Sequence, residues 1–173
     1  AAAGITWVAG RLGKKSVFLV PVFSVILLLI LGVLTWRQTF NYSDAEMLYT
    51  KTIDLNPTCW MAYNNRGMIY KGLGNYNLAI EDYDKTIKIN PNCVQAYNNR
   101  GNAYNSLGNY NLAIEDYGRA IENNPNFAEG YYNRGVVYLT HGDDISGCRD
   151  ARKSCELGNC KLLEQVNTMG LCR

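Results

Sequence analysis

A stretch of twenty residues occurs almost twice in this chain. The residues NNRGMIYKGLGNYNLAIEDY, from Asn64 to Tyr83, return as NNRGNAYNSLGNYNLAIEDY, from Asn98 to Tyr117, with starts 34 residues apart. The same period relates three prolines (57, 91 and 125), three glycines (67, 101 and 135) and three tyrosines (63, 97 and 131). Repetition at such a period is typical of a solenoid, in which each unit buries its apolar face against its neighbours.

Each repeated unit is predicted to form two antiparallel helices. The apolar and aromatic spacing predicts a first helix at residues 60–72 and a second at residues 77–89, with the residues LGNY as the turn between them. Glycine is a poor helix former, and it costs about 1 kcal/mol relative to alanine inside a helix. We therefore expect Gly67 to be present because it allows the neighbouring helix to approach closely.

At these positions the sequence resembles the tetratricopeptide repeat family, whose 34-residue pattern has an aromatic, Gly, Tyr, Ala, an aromatic, Ala and Pro. Two units match this pattern, with Tyr63, Gly67, Tyr70, Ala79, Tyr83, Thr86 and Pro91 in one and Tyr97, Gly101, Tyr104, Ala113, Tyr117, Ala120 and Pro125 in the other. The third unit has Gly147 and Ala151 where Ala and an aromatic are usual. The resemblance implies an all-α solenoid with repeats at residues 60–93, 94–127 and 128–160.

Shorter segments flank the three repeats. Residues 43–56 carry the pattern of a second helix alone, and Ser43 and Glu46 form a capping box that predicts where this half-repeat helix begins. Residues 161–173 follow the last repeat and include a short amphipathic helix. Terminal repeats need such a helix to cover their last apolar face.

Residues 16–36 contain no charge, and a helix of this length spans about 30 Å, the thickness of a bilayer core. The sequence therefore predicts a transmembrane helix. Basic residues precede this helix, and acidic residues lie close behind it. The positive-inside rule then places residues 1–15 in the cytoplasm and the repeats on the non-cytoplasmic side, whether periplasmic, extracellular or lumenal. Beyond residue 37, thirteen basic residues face fifteen acidic ones, a balance that does not favour nucleic-acid binding.

Asparagines recur along the predicted first helices. Asn65, Asn99 and Asn133 keep the 34-residue period, and Asn64, Asn98, Asn102 and Asn105 lie beside them. In tetratricopeptide solenoids the first helices line the concave surface, which is the usual binding surface. An asparagine side chain offers two donors and an acceptor, which suit the backbone of an extended peptide. A similar ladder in the O-linked N-acetylglucosamine transferase family grips the peptide main chain. The alternative is that these asparagines are helix-surface residues.

The concave surface is predicted to lack the Lys and Arg residues with which chaperone-docking repeat proteins hold a C-terminal carboxylate. Lys71 is the one basic residue placed near it. Arginines also recur at the 34-residue period, and Arg66 and Arg100 are expected to pair with Asp82 and Asp116 on the second helices.

Six cysteines are present. Cys59 and Cys93 keep the repeat period and are predicted to be packing residues. In an oxidising compartment, a disulfide from Cys172 to Cys155 or Cys160 would tie down the C-terminal cap, and buried free thiols are the alternative. The cysteine spacings match no zinc pattern.

The residues present show no catalytic set, no metal site and no cofactor motif. Three hypotheses remain. The first is a membrane-anchored scaffold whose groove binds a protein or an extended peptide. The second follows from residues 30–67, which resemble the junction between the last span and the repeats in the transmembrane-and-TPR O-mannosyltransferase family and its bacterial relatives. It implies the C-terminal part of a membrane glycosyltransferase. The third is a structural subunit of a filament or membrane complex, which self-associates.

Overall fold

The computed structural model describes the backbone of residues 16–172, together with their side chains except at 16–23 and 35–42. The segment predicted to be cytoplasmic, residues 1–15, lies outside the described residues. The chain divides into two compact units, residues 1–44 and 45–173. The second unit contains the repeats.

Eight helices occupy the described residues, and no strand occurs among them. They are α1 (Ser16–Leu55), α2 (Trp60–Gly72), α3 (Tyr76–Ile89), α4 (Val94–Ser106), α5 (Tyr110–Asn123), α6 (Ala128–Thr140), α7 (Asp144–Glu156) and α8 (Lys161–Thr168). Each first helix packs against the second helix of its own repeat, in the pairs α2 with α3, α4 with α5 and α6 with α7. Each second helix then packs against the next first helix, so the repeats form an all-α solenoid.

Glycine 67 and its counterpart Gly101 lie where two helices come closest. A Cβ atom added at Gly67 would lie 2.8 Å from the Tyr83 ring, and one added at Gly101 would lie 2.8 Å from the Tyr117 ring. Both rings are fully buried. The expectation that Gly67 allows close helix approach is confirmed, because any side chain there would displace a core tyrosine.

In the third repeat, the residue that packs against the helix glycine comes from outside the repeat. Ala151 stands where the first two repeats have Tyr83 and Tyr117, and its side chain is too small to fill the space that an aromatic ring occupies there. Leu162 of α8 fills that space, since a Cβ atom added at Gly135 would lie 2.9 Å from Leu162 Cδ2. Leu162, Val166 and Ala151 form one buried cluster. The capping helix is therefore part of the core of the third repeat.

The half-repeat packs on the first full repeat. Ile53 is buried, Arg66 donates to Thr50 Oγ1 at 3.2 Å, and the Tyr70 hydroxyl donates to Glu46 Oε1 at 3.0 Å. The predicted helix start at Ser43 is wrong, because α1 continues through this position without interruption. Glu46 therefore binds the Tyr70 side chain, and the backbone at Ser43 needs no cap.

The apolar segment at residues 16–36 lies within α1. Its described side chains cover residues 24–34, and the rest of the predicted span lies outside the described side chains. Eleven residues of helix extend roughly 16 Å, about half of a bilayer core. Among the described residues no helix combines the length and the apolarity that crossing a membrane requires. The predicted transmembrane helix is therefore not supported by the structure.

Two disulfides fix the C-terminal end, and their pairing differs from the prediction. Cys148 bonds to Cys172, with a Cα–Cα distance of 5.4 Å, and Cys155 bonds to Cys160. The predicted bonds from Cys172 to Cys155 or Cys160 are wrong because the tail after α8 returns to the middle of α7. Cys93 is buried as a free thiol, whereas Cys59 is half-buried.

Candidate functional site

The first helices of successive repeats form a common surface. Helix α2 contacts α4 and α4 contacts α6, whereas among the described residues the second helices of successive repeats do not contact each other. Helices on the inner side of a curved stack lie closest together, so the first helices line the concave side. We call this surface the groove, defined by the exposed sides of α2, α4 and α6.

The predicted asparagines fall into two classes in the groove. Asn65, Asn99 and Asn133 are half-buried, and so are Asn102 and Asn105. Asn64 and Asn98 are buried, with 8% and 4% of their surface exposed. The period therefore identifies one partly exposed asparagine in each repeat, next to buried ones in the first two repeats.

Asn98 lies at the centre of a network that joins the second and third repeats. Its Nδ2 donates to Glu129 Oε1 at 3.0 Å, and its Oδ1 accepts from Asn133 Nδ2 at 2.9 Å. Both hydrogen-bonding functions of this buried side chain are thus satisfied. Glu129, at the start of α6, was not predicted from the sequence, since a single acidic residue in a first turn carries no periodic signal.

Lys71 joins the first repeat to the second. Its Nζ donates to Asn99 Oδ1 at 3.2 Å. Burial lowers the pKa of Lys71, and the charge of Glu129 opposes this shift.

The first repeat lacks two partners that the second has. The Tyr117 hydroxyl donates to Asn102 Oδ1 at 2.7 Å. In the first repeat the equivalent of Asn102 is Met68, and the buried Tyr83 hydroxyl has no partner in the part of the chain that the structure describes. Asn64 Nδ2 approaches Asn65 Oδ1 at 3.5 Å, and Asn64 Oδ1 has no partner among the side chains and backbone that the structure describes. The Asn105 side chain makes no hydrogen bond to any described residue, whereas its carbonyl oxygen accepts from the Gly108 N–H at 3.0 Å.

The recurring arginines pair with aspartates on the second helices, which confirms the predicted pairs. Each arginine donates two hydrogen bonds to one carboxylate, at 2.8 and 2.7 Å for Arg66 with Asp82, 2.8 and 2.6 Å for Arg100 with Asp116, and 2.7 and 3.0 Å for Arg134 with Asp150. Two tyrosine rings flank each guanidinium, with centroids 5.6–6.0 Å from the Cζ atom. The hydrogen bonds to Asp82 raise the pKa of Arg66. These arginines hold helices together and do not serve as free groove cations.

His141 has a structural environment. Its ring lies against that of Tyr110, with centroids 3.8 Å apart, and its Nδ1 contacts the Val137 carbonyl oxygen at 2.8 Å. Within residues 16–172, no cluster of three or more His, Cys, Asp or Glu residues is placed to hold a metal ion.

Comparison with known proteins agrees with this architecture. Three family models match the sequence, namely TPR repeat at residues 101–142 and Tetratricopeptide repeat at residues 60–93 and again at 82–115. Residues 60–142 are tetratricopeptide repeats. A search of the curated proteins found no match.

Several solved structures share the fold of the chain. A crystal structure of MamA is 25% identical, with a TM-score of 0.65, and the match covers 70% of this chain and 71% of that one. Residues 41 to the end of MamA from Desulfovibrio magneticus RS-1 are 21% identical, with a TM-score of 0.64 and coverages of 72% and 70%. The first TPR of Spaghetti (RPAP3), bound to the HSP90 peptide SRMEEVD, is 22% identical, with a TM-score of 0.61 and coverages of 64% and 90%.

Proposed function

We propose that the protein is an interaction scaffold whose groove binds the main chain of an extended peptide from a protein partner. The supporting observation is the asparagine ladder, defined as Asn65, Asn99 and Asn133. Each of these half-buried side chains keeps one hydrogen-bonding function without a partner among the described residues. Carboxamide groups match the donors and acceptors of a peptide backbone. A solved structure with the same fold holds a peptide.

The charges of the groove favour a main-chain partner over a C-terminal carboxylate. Lys71 is bonded to Asn99, and Glu129 contributes a negative charge beside Asn98. The recurring arginines are bound to aspartates. A carboxylate placed here would therefore find Lys71 already bonded to Asn99, and it would be repelled by the negative charge of Glu129. A neutral peptide backbone needs no free cation and is not repelled by Glu129.

The ladder can be tested by replacing Asn65, Asn99 and Asn133 with alanine together. Each lost hydrogen bond is worth on the order of 1 kcal/mol, so affinity for a partner should fall about 100-fold. Thermal stability should change little, because the better helix propensity of three alanines offsets the loss of the hydrogen bond that Asn133 donates to the buried Asn98 Oδ1. The probe is a dodecapeptide selected on the wild-type protein from a random display library, and binding is measured by calorimetry.

A matched control replaces two other asparagines that share the repeat period. Asn77 and Asn111 are exposed near the starts of the second helices, outside the groove. The Asn77→Ala/Asn111→Ala variant should bind the dodecapeptide as the wild type does. Equal binding by the ladder variant and the wild type would refute the ladder, and the binding face would then lie elsewhere on the solenoid.

Attachment to a membrane is a separate part of this proposal. Its support is the uncharged run at residues 16–36, together with the exposure of the large hydrophobic side chains described within it, which are 47–67% exposed. An apolar surface of this kind needs apolar surroundings. The protein should stay in the membrane pellet after carbonate extraction, and a variant without residues 16–36 should not. Release of the intact protein by carbonate would contradict attachment.

The side of the membrane is tested by labelling. Cys59 is a half-buried free thiol in the second unit. The basic residues before position 16 favour repeats on the non-cytoplasmic side of the membrane. In that case an impermeant thiol reagent should label Cys59 without the cytoplasmic side being opened. Protection until the cytoplasmic side is opened would contradict this orientation.

The relation to O-mannosyltransferases and the role of a structural subunit stay hypotheses. The first depends on the similarity at residues 30–67 alone. Sequence upstream of Ala1 would decide it, since a polytopic transferase requires further spans there.

A further inference from the structure

The charge of Lys71 determines which way the Asn99 carboxamide faces. An ammonium group has three donors and no acceptor. The Asn99 atom at 3.2 Å from Lys71 Nζ must therefore be the oxygen. Asn99 Nδ2 is left without a partner among the described residues, so the ladder presents a donor in the second repeat.

The charge of Glu129 determines the orientation of the Asn133 carboxamide, which is opposite to that of Asn99 in the preceding repeat. A carboxylate accepts hydrogen bonds and does not donate them, so the Asn98 atom facing Glu129 must be Nδ2. Asn98 Oδ1 then faces Asn133, whose Nδ2 must be the donor in the 2.9 Å contact. Asn133 Oδ1 is left without a partner within the described part of the chain, so the ladder presents an acceptor in the third repeat.

We propose that Lys71 and Glu129 give the ladder a fixed polarity, with a donor at Asn99 and an acceptor at Asn133, so that the groove takes an extended peptide main chain in one direction. This inference rests on the proposed function. Along one edge of an extended chain, N–H and C=O groups alternate between close and wide spacings. A donor and an acceptor at a fixed separation fit this pattern in one chain direction and miss it in the other.

The orientation is measurable without any ligand, from the exchange of side-chain amide protons with water in nuclear magnetic resonance spectra at pH 7. The Asn133 Nδ2 proton that is bonded to Asn98 Oδ1 should exchange at least about tenfold more slowly than the Asn99 Nδ2 protons. Glu129→Ala should remove the protection at Asn133. Gln95→Ala is the matched control, because Gln95 is the exposed equivalent of Glu129 in the preceding repeat. Faster exchange at Asn133 than at Asn99 in the wild type would overturn the polarity.

Direction is tested with the selected dodecapeptide and its retro-inverso isomer, which keeps the side chains and exchanges N–H with C=O. The wild type should bind the first about tenfold more tightly, as expected for one or two mismatched hydrogen bonds. In the Lys71→Met/Glu129→Ala variant the ratio should fall towards one. Equal wild-type affinities would overturn the polarity while leaving the proposed function intact. Failure to select any peptide would overturn the proposed function and the directional binding with it.

Discussion

Tyr83 and Tyr117 occupy the same position of successive repeats, yet their hydroxyl groups differ in hydrogen bonding. Both rings are fully buried, and burial raises the pKa of both phenols. The Tyr117 hydroxyl donates to Asn102, whereas the repeat of Tyr83 has Met68 at the equivalent position, and the Tyr83 hydroxyl has no partner among the described residues. A buried hydroxyl without a hydrogen bond costs free energy.

This difference predicts opposite responses to one chemical change. Tyr117→Phe should lower the free energy of unfolding by about 1 kcal/mol, because it removes a hydrogen bond. Tyr83→Phe should leave it unchanged or raise it by up to about 1 kcal/mol, because it removes an unsatisfied group. Urea unfolding followed by circular dichroism measures both. Equal losses in the two variants would contradict the difference in bonding.

At the residue scale, the repeat period predicts which positions recur but not which side chains bond to one another. The pairing of Arg66 with Asp82 is predictable, because both residues recur and lie on paired helices. The roles of Glu129 and Lys71 are not, because neither recurs and each acts on an asparagine of another repeat. The orientation of a carboxamide depends on such neighbours, so the polarity of the ladder requires the three-dimensional structure.

At the scale of helices, the arginine–aspartate pairs fasten each first helix to its second. Asp82 is buried, with 6% of its side chain exposed, and Arg66 supplies both of the hydrogen bonds that the carboxylate receives from described residues. Removing one partner of such a pair leaves an uncompensated buried charge, whereas replacing both with apolar residues is often neutral.

Arg66→Leu should therefore lower the free energy of unfolding by about 3 kcal/mol. The double variant Arg66→Leu/Asp82→Leu should recover most of the loss. Urea unfolding measures both variants, and a double variant less stable than the single one would contradict the account.

The cap is the second feature at this scale. Leu162 takes the space that an aromatic ring fills in the first two repeats, beside Gly135 and Ala151. Leu162→Ala should destabilise α7 and α8 by about 3 kcal/mol through the cavity it leaves. Ala151→Tyr alone should also destabilise, by overpacking.

Combining Leu162→Ala with Ala151→Tyr restores the arrangement of the first two repeats. The double variant should be more stable than either single variant, as measured by thermal unfolding. Losses that simply add would contradict the replacement of the ring by Leu162. The sequence shows that Ala151 departs from the pattern, but not which residue fills the space, because that residue comes from a later helix.

At the scale of the whole molecule, the repeat period is enough to predict the solenoid, whereas the ends require the structure. Sequence spacing cannot show that the tail turns back to Cys148, so the disulfide pairing was predicted wrongly. The half-repeat contacts the first repeat through Glu46 and Thr50, whose roles follow from the three-dimensional packing.

The two disulfides should contribute differently to the C-terminal end. The Cys148–Cys172 bond joins residues 24 apart and holds the tail on α7, whereas Cys155–Cys160 joins residues five apart. In the chain-entropy model the first is worth about 3.5 kcal/mol and the second about 2. Amide hydrogen exchange at residues 161–171 should speed up strongly in Cys148→Ser/Cys172→Ser and weakly in Cys155→Ser/Cys160→Ser. The reverse order would contradict the role of the longer loop.

The central claim is that the groove binds the main chain of its partner, and a scan of the selected dodecapeptide tests this claim most directly. Calorimetry would compare peptides N-methylated at each position in turn with peptides carrying alanine at each position. If the ladder grips the main chain, N-methylation of at least one central position should lower affinity about tenfold, and single alanine replacements should each change it by less than about threefold. Affinity that survives every N-methylation but collapses on replacement of one side chain would contradict the claim.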